Sequence, residues 1–121
     1  MVIYMKRVVI TGLGIVSSIG NDAEEVLTSL KEGRSGITRA ESFAEMGLRS
    51  QVWGKPEIEV KDHIDRKALR FMGEASAFAY IAMDQAIKDS KLTPEQVSNF
   101  RTGIVAGSGG ASSENVVNSA D

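Results

Sequence analysis

The sequence predicts an α/β layered fold with a mainly parallel sheet. Three observations carry this expectation. Residues 7–11 and 102–106 are continuous β-branched runs bounded by glycine, the pattern of strands covered on both faces. A long stretch between them repeats apolar residues at helical spacing. Strand, helix, strand, helix and strand then alternate along the chain, as in βαβ units.

Taken in order, Arg7-Val-Val-Ile-Thr11 is the first strand, and Gly12-Leu-Gly14 to Gly20 is a glycine-punctuated loop. Asn21 is expected to cap a short helix, with Glu24 at the capping-box position. Val26, Leu27 and Leu30 would form its buried stripe, and Gly33 would stop it. Residues 34–44 are of mixed polarity and read as surface chain. Ser50-Gln-Val-Trp53 is a short strand closed by Gly54 and Pro56. Asp65 is a good N-cap for one long helix running to about Ser90, with Leu69, Met72, Ala79 and Met83 facing inward. Its many alanines predict close packing. Thr93-Pro94-Glu-Gln96 opens another short helix, with proline at the first position and glutamine closing the box. Residues 102–106 are the last strand, running into Gly107-Ser-Gly-Gly110, and residues 112–121 form a polar, helix-capable end. Three strands are few beside the usual five or six, so these residues are expected to be the front part of a longer protein.

Composition narrows the function. Of 121 residues, 42% are hydrophobic and 25% charged, a globular balance, and the net charge of −2 argues against nucleic-acid binding by bulk charge. With no cysteine there is no disulfide, thiolate metal site or cysteine nucleophile, and the single histidine, His63, excludes histidine-rich metal cages. No metal site, cofactor or catalytic residue is therefore assigned within the chain. No apolar run reaches the ~18 residues of a membrane span. Lys6-Arg7 before an apolar stretch imitates a signal peptide, but Gly12, Gly14, Ser17 and Ser18 interrupt it and no cleavage pattern follows. A cytoplasmic protein is expected. Met5 is a second possible start, with residues 1–4 as an extension.

Two motifs invite a ligand. Gly12-Leu-Gly14 between a strand and a helix suggests dinucleotide binding, yet Ser17 stands where the third glycine belongs and the helix starts late. Arg66, Lys67 and Arg70 crowd the start of the expected long helix, where the macrodipole disfavours cations. They serve either as a solvated face, with Arg70 and Glu74 paired at i,i+4, or as a site for an anionic partner. His63, beside Asp62, reads as a surface or capping residue. Trp53 and the methionines read as core.

Four segments together carry a resemblance: Val8-Val-Ile-Thr-Gly-Leu-Gly-Ile-Val-Ser-Ser-Ile-Gly20, Gly33-Arg-Ser-Gly-Ile37, Ile64-Asp-Arg-Lys-Ala-Leu-Arg-Phe-Met72 and Gly107-Ser-Gly-Gly110. From about Met5 onward the chain resembles the N-terminal part of the β-ketoacyl-[acyl-carrier-protein] synthases. The Asp-Arg-Lys wording and Gly110 point to the bacterial type I branch; type II relatives gate the acyl pocket with a bulkier residue where Gly110 falls. The resemblance implies a thiolase-like fold across residues 1–121, a homodimer, and decarboxylative condensation of malonyl-carrier protein with an enzyme-bound acyl chain. It also implies a role in fatty acid elongation, with acyl and malonyl thioesters as substrates. The family's cysteine nucleophile and two histidines match nothing here, and His63 matches neither histidine, so these residues alone are expected to be inactive. By the same resemblance, Arg66, Lys67 and Arg70 meet the acidic helix of acyl carrier protein, and Gly110 lines the partner subunit's acyl pocket. A nucleotide-binding module on Gly12 and Gly14, or a non-catalytic interaction domain, are the alternatives.

Overall fold

The computed structural model describes residues 5–110 and 112–120. The possible extension at residues 1–4 lies outside them. Six helices are described: α1 (Ala23–Glu32), α2 (Glu41–Glu45), α3 (Arg66–Leu69), α4 (Glu74–Ser90), α5 (Pro94–Val97) and α6 (Ser113–Ala120). Two short strands, β1 (Thr38–Arg39) and β2 (Val52–Trp53), and a 3-10 turn at Val60–Asp62 complete the described elements.

The helix ends follow local chemistry. Asp22, one residue later than expected, caps α1: its Oδ1 accepts from the N–H groups of Glu24 and Glu25, both at 2.9 Å. Glu25 in turn accepts from the Asn21 N–H at 2.8 Å. Gly33 ends the helix at φ 64°, and the Arg34 N–H closes back onto the Ser29 carbonyl at 2.8 Å. Thr93 and Gln96 form the expected reciprocal box around Pro94.

The sheet differs from the expectation. Among the described residues it has two strands, paired antiparallel with Thr38 opposite Trp53 and Arg39 opposite Val52. Residues 34–44, read as surface chain, supply β1 and most of α2. The last two residues of the expected 50–53 strand form β2, and the Trp53 ring meets Phe43 edge-on at 5.6 Å and lies under the Lys55 ammonium at 5.4 Å. Ala40, fully buried between β1 and α2, donates its N–H to the Gln51 carbonyl.

Residues 7–11 and 102–106 form no strand and share no ladder; Val8, Ile10 and Val105 are 93%, 92% and 101% exposed. Strands of this kind are stable only with neighbours to complete their hydrogen bonds and layers to cover both faces, and neither is found among the described residues. The accessible surface measures this: 10583 Å², against about 6,300 Å² for a compact monomer of 13.0 kDa.

The expected long helix is two helices. Asp65 does cap α3, accepting from the Lys67 N–H at 2.8 Å, but the helix ends at Leu69 and α4 restarts after Gly73, which has no side chain to cap with. The restart changes which face turns inward. Ile64, Ala77 and Ile81 form the buried core, with Val16, Ile58, Val60, Ala68, Leu69 and Met72 packed on it, while Ala79 and Met83 are exposed. On α1 the buried residue is Ser29, which donates to the Ile19 carbonyl at 2.6 Å; Leu27 and Leu30 are 51% and 66% exposed. Met5, Met46 and Met83 are exposed as well, and of the described methionines Met72 alone joins the core.

Candidate functional site

The two sequence motifs meet opposite fates. Gly12 and Gly14 lie directly on the backbone of α4: a Cβ added at Gly12 would stand 2.2 Å from the Ala86 carbonyl oxygen, and one at Gly14 1.8 Å from that of Ala82. The α4 alanines pack closely as expected, against a glycine loop in place of a sheet. Two amides beside these glycines are occupied by α4 side chains. The Leu13 N–H donates to Asp89 Oδ2 at 3.0 Å, and the Ile15 N–H to Gln85 Oε1 at 2.9 Å. Gln85 then donates from Nε2 to the Asn21 carbonyl at 2.6 Å, tying the far end of the loop to the same helix turn. A phosphate cradle needs free N–H donors and no anion, whereas here helix side chains take the donors and one of them is a carboxylate. The nucleotide-binding reading is rejected on this geometry. Sequence reasoning missed Gln85 and Asp89; two polar residues at i,i+4 beside Ala82 and Ala86 were the available signal.

Arg66, Lys67 and Arg70 remain open. All are exposed, and together they line a shallow depression of about 300 Å³. Arg66 and Arg70 stand one turn apart, with Lys67 on the adjoining line, so the short helix gathers the three charges on one side. The Arg70–Glu74 pair of the solvated-face alternative is not formed: Glu74 meets Lys55 at 3.6 Å across the gap to β2. None of the three is among the ion pairs formed by the described residues. Nearby Lys61 shows the contrast. Its ammonium donates to Glu59 at 3.1 Å, and that hydrogen bond, then the charges of Glu59 and Asp62, hold its pKa above 10.5.

The break after Leu69 also changes the electrostatic argument. α3 is a single turn, so its first and last turns coincide and its dipole opposes the cations little. What marks the cluster is three exposed like charges that no acid among the described residues answers.

Two larger hollows, of about 580 and 700 Å³, flank the β1–β2 pair. Their cations are already answered, Arg34 by Glu32 and Lys55 by Glu74. His63 is exposed at the end of the 3-10 turn, and no group of three metal-ligating side chains gathers among the described residues. Gly110 is exposed, with nothing within 4 Å of a Cβ placed on it; the Ser108 hydroxyl donates to its carbonyl at 2.8 Å. It lies on the segment of residues 102–110 and is not brought together with the cations. No helix among the described residues is long and apolar enough to cross a membrane.

The comparisons with known proteins agree in direction. Residues 5–121 match the family described as β-ketoacyl synthase, N-terminal domain. The chain is 56% identical over 111 residues to the 3-oxoacyl-[acyl-carrier-protein] synthase 1 of Haemophilus influenzae, covering 92% of this chain and 27% of that protein. It is 56% identical over 109 residues to synthase 1 of Escherichia coli, covering 89% and 27%. To synthase 2 of Staphylococcus aureus it is 33% identical over 105 residues, covering 86% and 25%. The chain thus spans about a quarter of the length of these curated relatives.

Proposed function

Because the chain belongs to the β-ketoacyl synthase family, through that family's N-terminal domain, we propose that it is the front part of a type 1 3-oxoacyl-[acyl-carrier-protein] synthase. The observation that carries the reading is the identity of 56% to two synthases 1 against 33% to a synthase 2, each over most of this chain. On this reading the whole protein is an acyltransferase of fatty acid biosynthesis, working in the cytoplasm as a homodimer with a thiolase-like fold. It lengthens an enzyme-bound acyl chain by decarboxylative condensation with malonyl-carrier protein.

The residues of this chain take supporting roles. The bond-forming step needs a thiolate nucleophile, positioned histidines and an oxyanion site, and this chain has no cysteine and one exposed histidine. Those groups lie in the rest of the protein, and residues 1–121 by themselves are inactive. Arg66, Lys67 and Arg70 receive the acidic helix of acyl carrier protein, a role supported by their exposure and by the absence of an ion-pair partner among the described residues. Gly110 forms a wall of the partner subunit's acyl pocket, where the lack of a side chain leaves room for a long acyl chain.

The test is a condensation assay on the full-length protein with carrier-bound and carrier-free acyl thioesters. Native protein condenses both. Lys67→Glu raises the KM for carrier-bound substrates and leaves the carrier-free reaction near native. Equal loss on both substrates points to damaged folding and contradicts the docking role. A Gly110→Ile variant shortens the longest acyl chain accepted; an unchanged chain-length profile contradicts the pocket role.

A further inference from the structure

We propose that Phe71 completes the carrier-docking surface as its apolar anchor, so that the surface recognises an acidic helix presenting a hydrophobic side chain among its carboxylates. The proposal rests on the docking role assigned above to the three cations. Phe71 is 88% exposed, follows Arg70 directly and stands one helical turn beyond Lys67. Its N–H donates to the Ala68 carbonyl at 3.1 Å, and that of Met72 to Leu69 at 3.1 Å, so the turn that carries it is closed.

Place in the chain separates Phe71 from the other large exposed apolar residues described: it is the one that follows directly on the cation cluster. Val8, Ile10 and Val105 belong to segments whose strand hydrogen bonds are unmade as well, so further sheet accounts for both deficits. The N–H groups of Phe71 and Met72 are already bonded within the turn, and Met72 is the residue that turns into the core. An exposed aromatic side chain on a hydrogen-bonded turn, beside three cations that form no ion pair among the described residues, is suited to a partner of mixed chemistry. Carboxylates meet the cations and steer encounter, while an apolar side chain covers the ring and holds the complex.

The test uses the full-length protein with Phe71→Ala, Phe71→Leu and Lys67→Glu made separately. KM is measured for carrier-bound and carrier-free thioesters at low and high salt, and Tm is recorded for each variant. Phe71→Ala raises the carrier KM about tenfold, the size expected for uncovering part of a phenyl ring, and keeps that loss at high salt because apolar burial is not screened. Phe71→Leu recovers most of it, and the carrier-free reaction is unchanged. Lys67→Glu, by contrast, is defective mainly at low salt. If Phe71→Ala behaves as native while Lys67→Glu is defective, the anchor is overturned and the docking role stands. If both behave as native, both are overturned. Equal loss on carrier-free substrate with a lowered Tm means that the protein's own chain covers Phe71, which also overturns the anchor.

Discussion

The glycine loop at residues 12–20 and the basic turn of α3 both look like ligand sites in the sequence, and the structure separates them by one criterion. In the loop, the motif is turned inward onto α4: the glycines admit the α4 backbone, and the amides of Leu13 and Ile15 bond to Asp89 and Gln85. On α3 and its C-cap, Arg66, Lys67 and Arg70 have no ion-pair counterpart among the described residues. A motif becomes a candidate site when its bonding capacity is left over after folding. Composition at the motif does not reveal that, because the groups that consume the capacity are distant in sequence; Ile15 and Gln85 are 70 residues apart.

The contrast can be broken first at the loop. Gly14→Ala forces a methyl group against the Ala82 carbonyl and should cost about 3 kcal/mol, the upper part of the usual overpacking range, read from urea unfolding of the chain. A variant as stable as native would show that the loop does not rest on α4. Gln85→Leu should cost about 2 kcal/mol by leaving the Ile15 N–H and the Asn21 carbonyl unpaired. A neutral result there would show that these bonds do not hold the loop on α4. Asp65→Ala removes the cap of α3 and should cost about 1 kcal/mol. Arg70→Gln sharpens the other side of the contrast: with no ion-pair partner among the described residues to lose, its stability should stay within about 0.5 kcal/mol of native. A larger loss would reveal an internal role for that charge.

Local signals were legible in the sequence. The Asp65 cap, the Thr93 box, the Gly33 stop and the grouping of the three cations each depend on residues within a turn or two. What failed depended on distant partners. Residues 7–11 and 102–106 have strand composition, but a strand exists only by pairing. β1 was missed because Thr38-Arg39 carries no alternation, and its existence is owed to Val52-Trp53 across α2. The long helix failed at residues 70–73, where a periodic pattern continued through Gly73 although the backbone did not. That break moved the inward face from Ala79 and Met83 to Ala77 and Ile81. It also removed the dipole argument that first made the cations conspicuous, leaving their lack of internal partners as the physical reason to assign them a ligand.

The measurement closest to the central claim is the affinity of an acidic acyl carrier protein for the native full-length protein and for Lys67→Glu, across ionic strengths of about 0.05 to 0.5 M. Native affinity should fall steeply as salt rises. The variant should bind more weakly at low salt, by an amount corresponding to about 1 kcal/mol or less for a solvated pair, with a shallower slope, so that the two curves converge at high salt. Parallel curves of equal affinity would contradict the account, because the α3 cations would then face solvent and no partner.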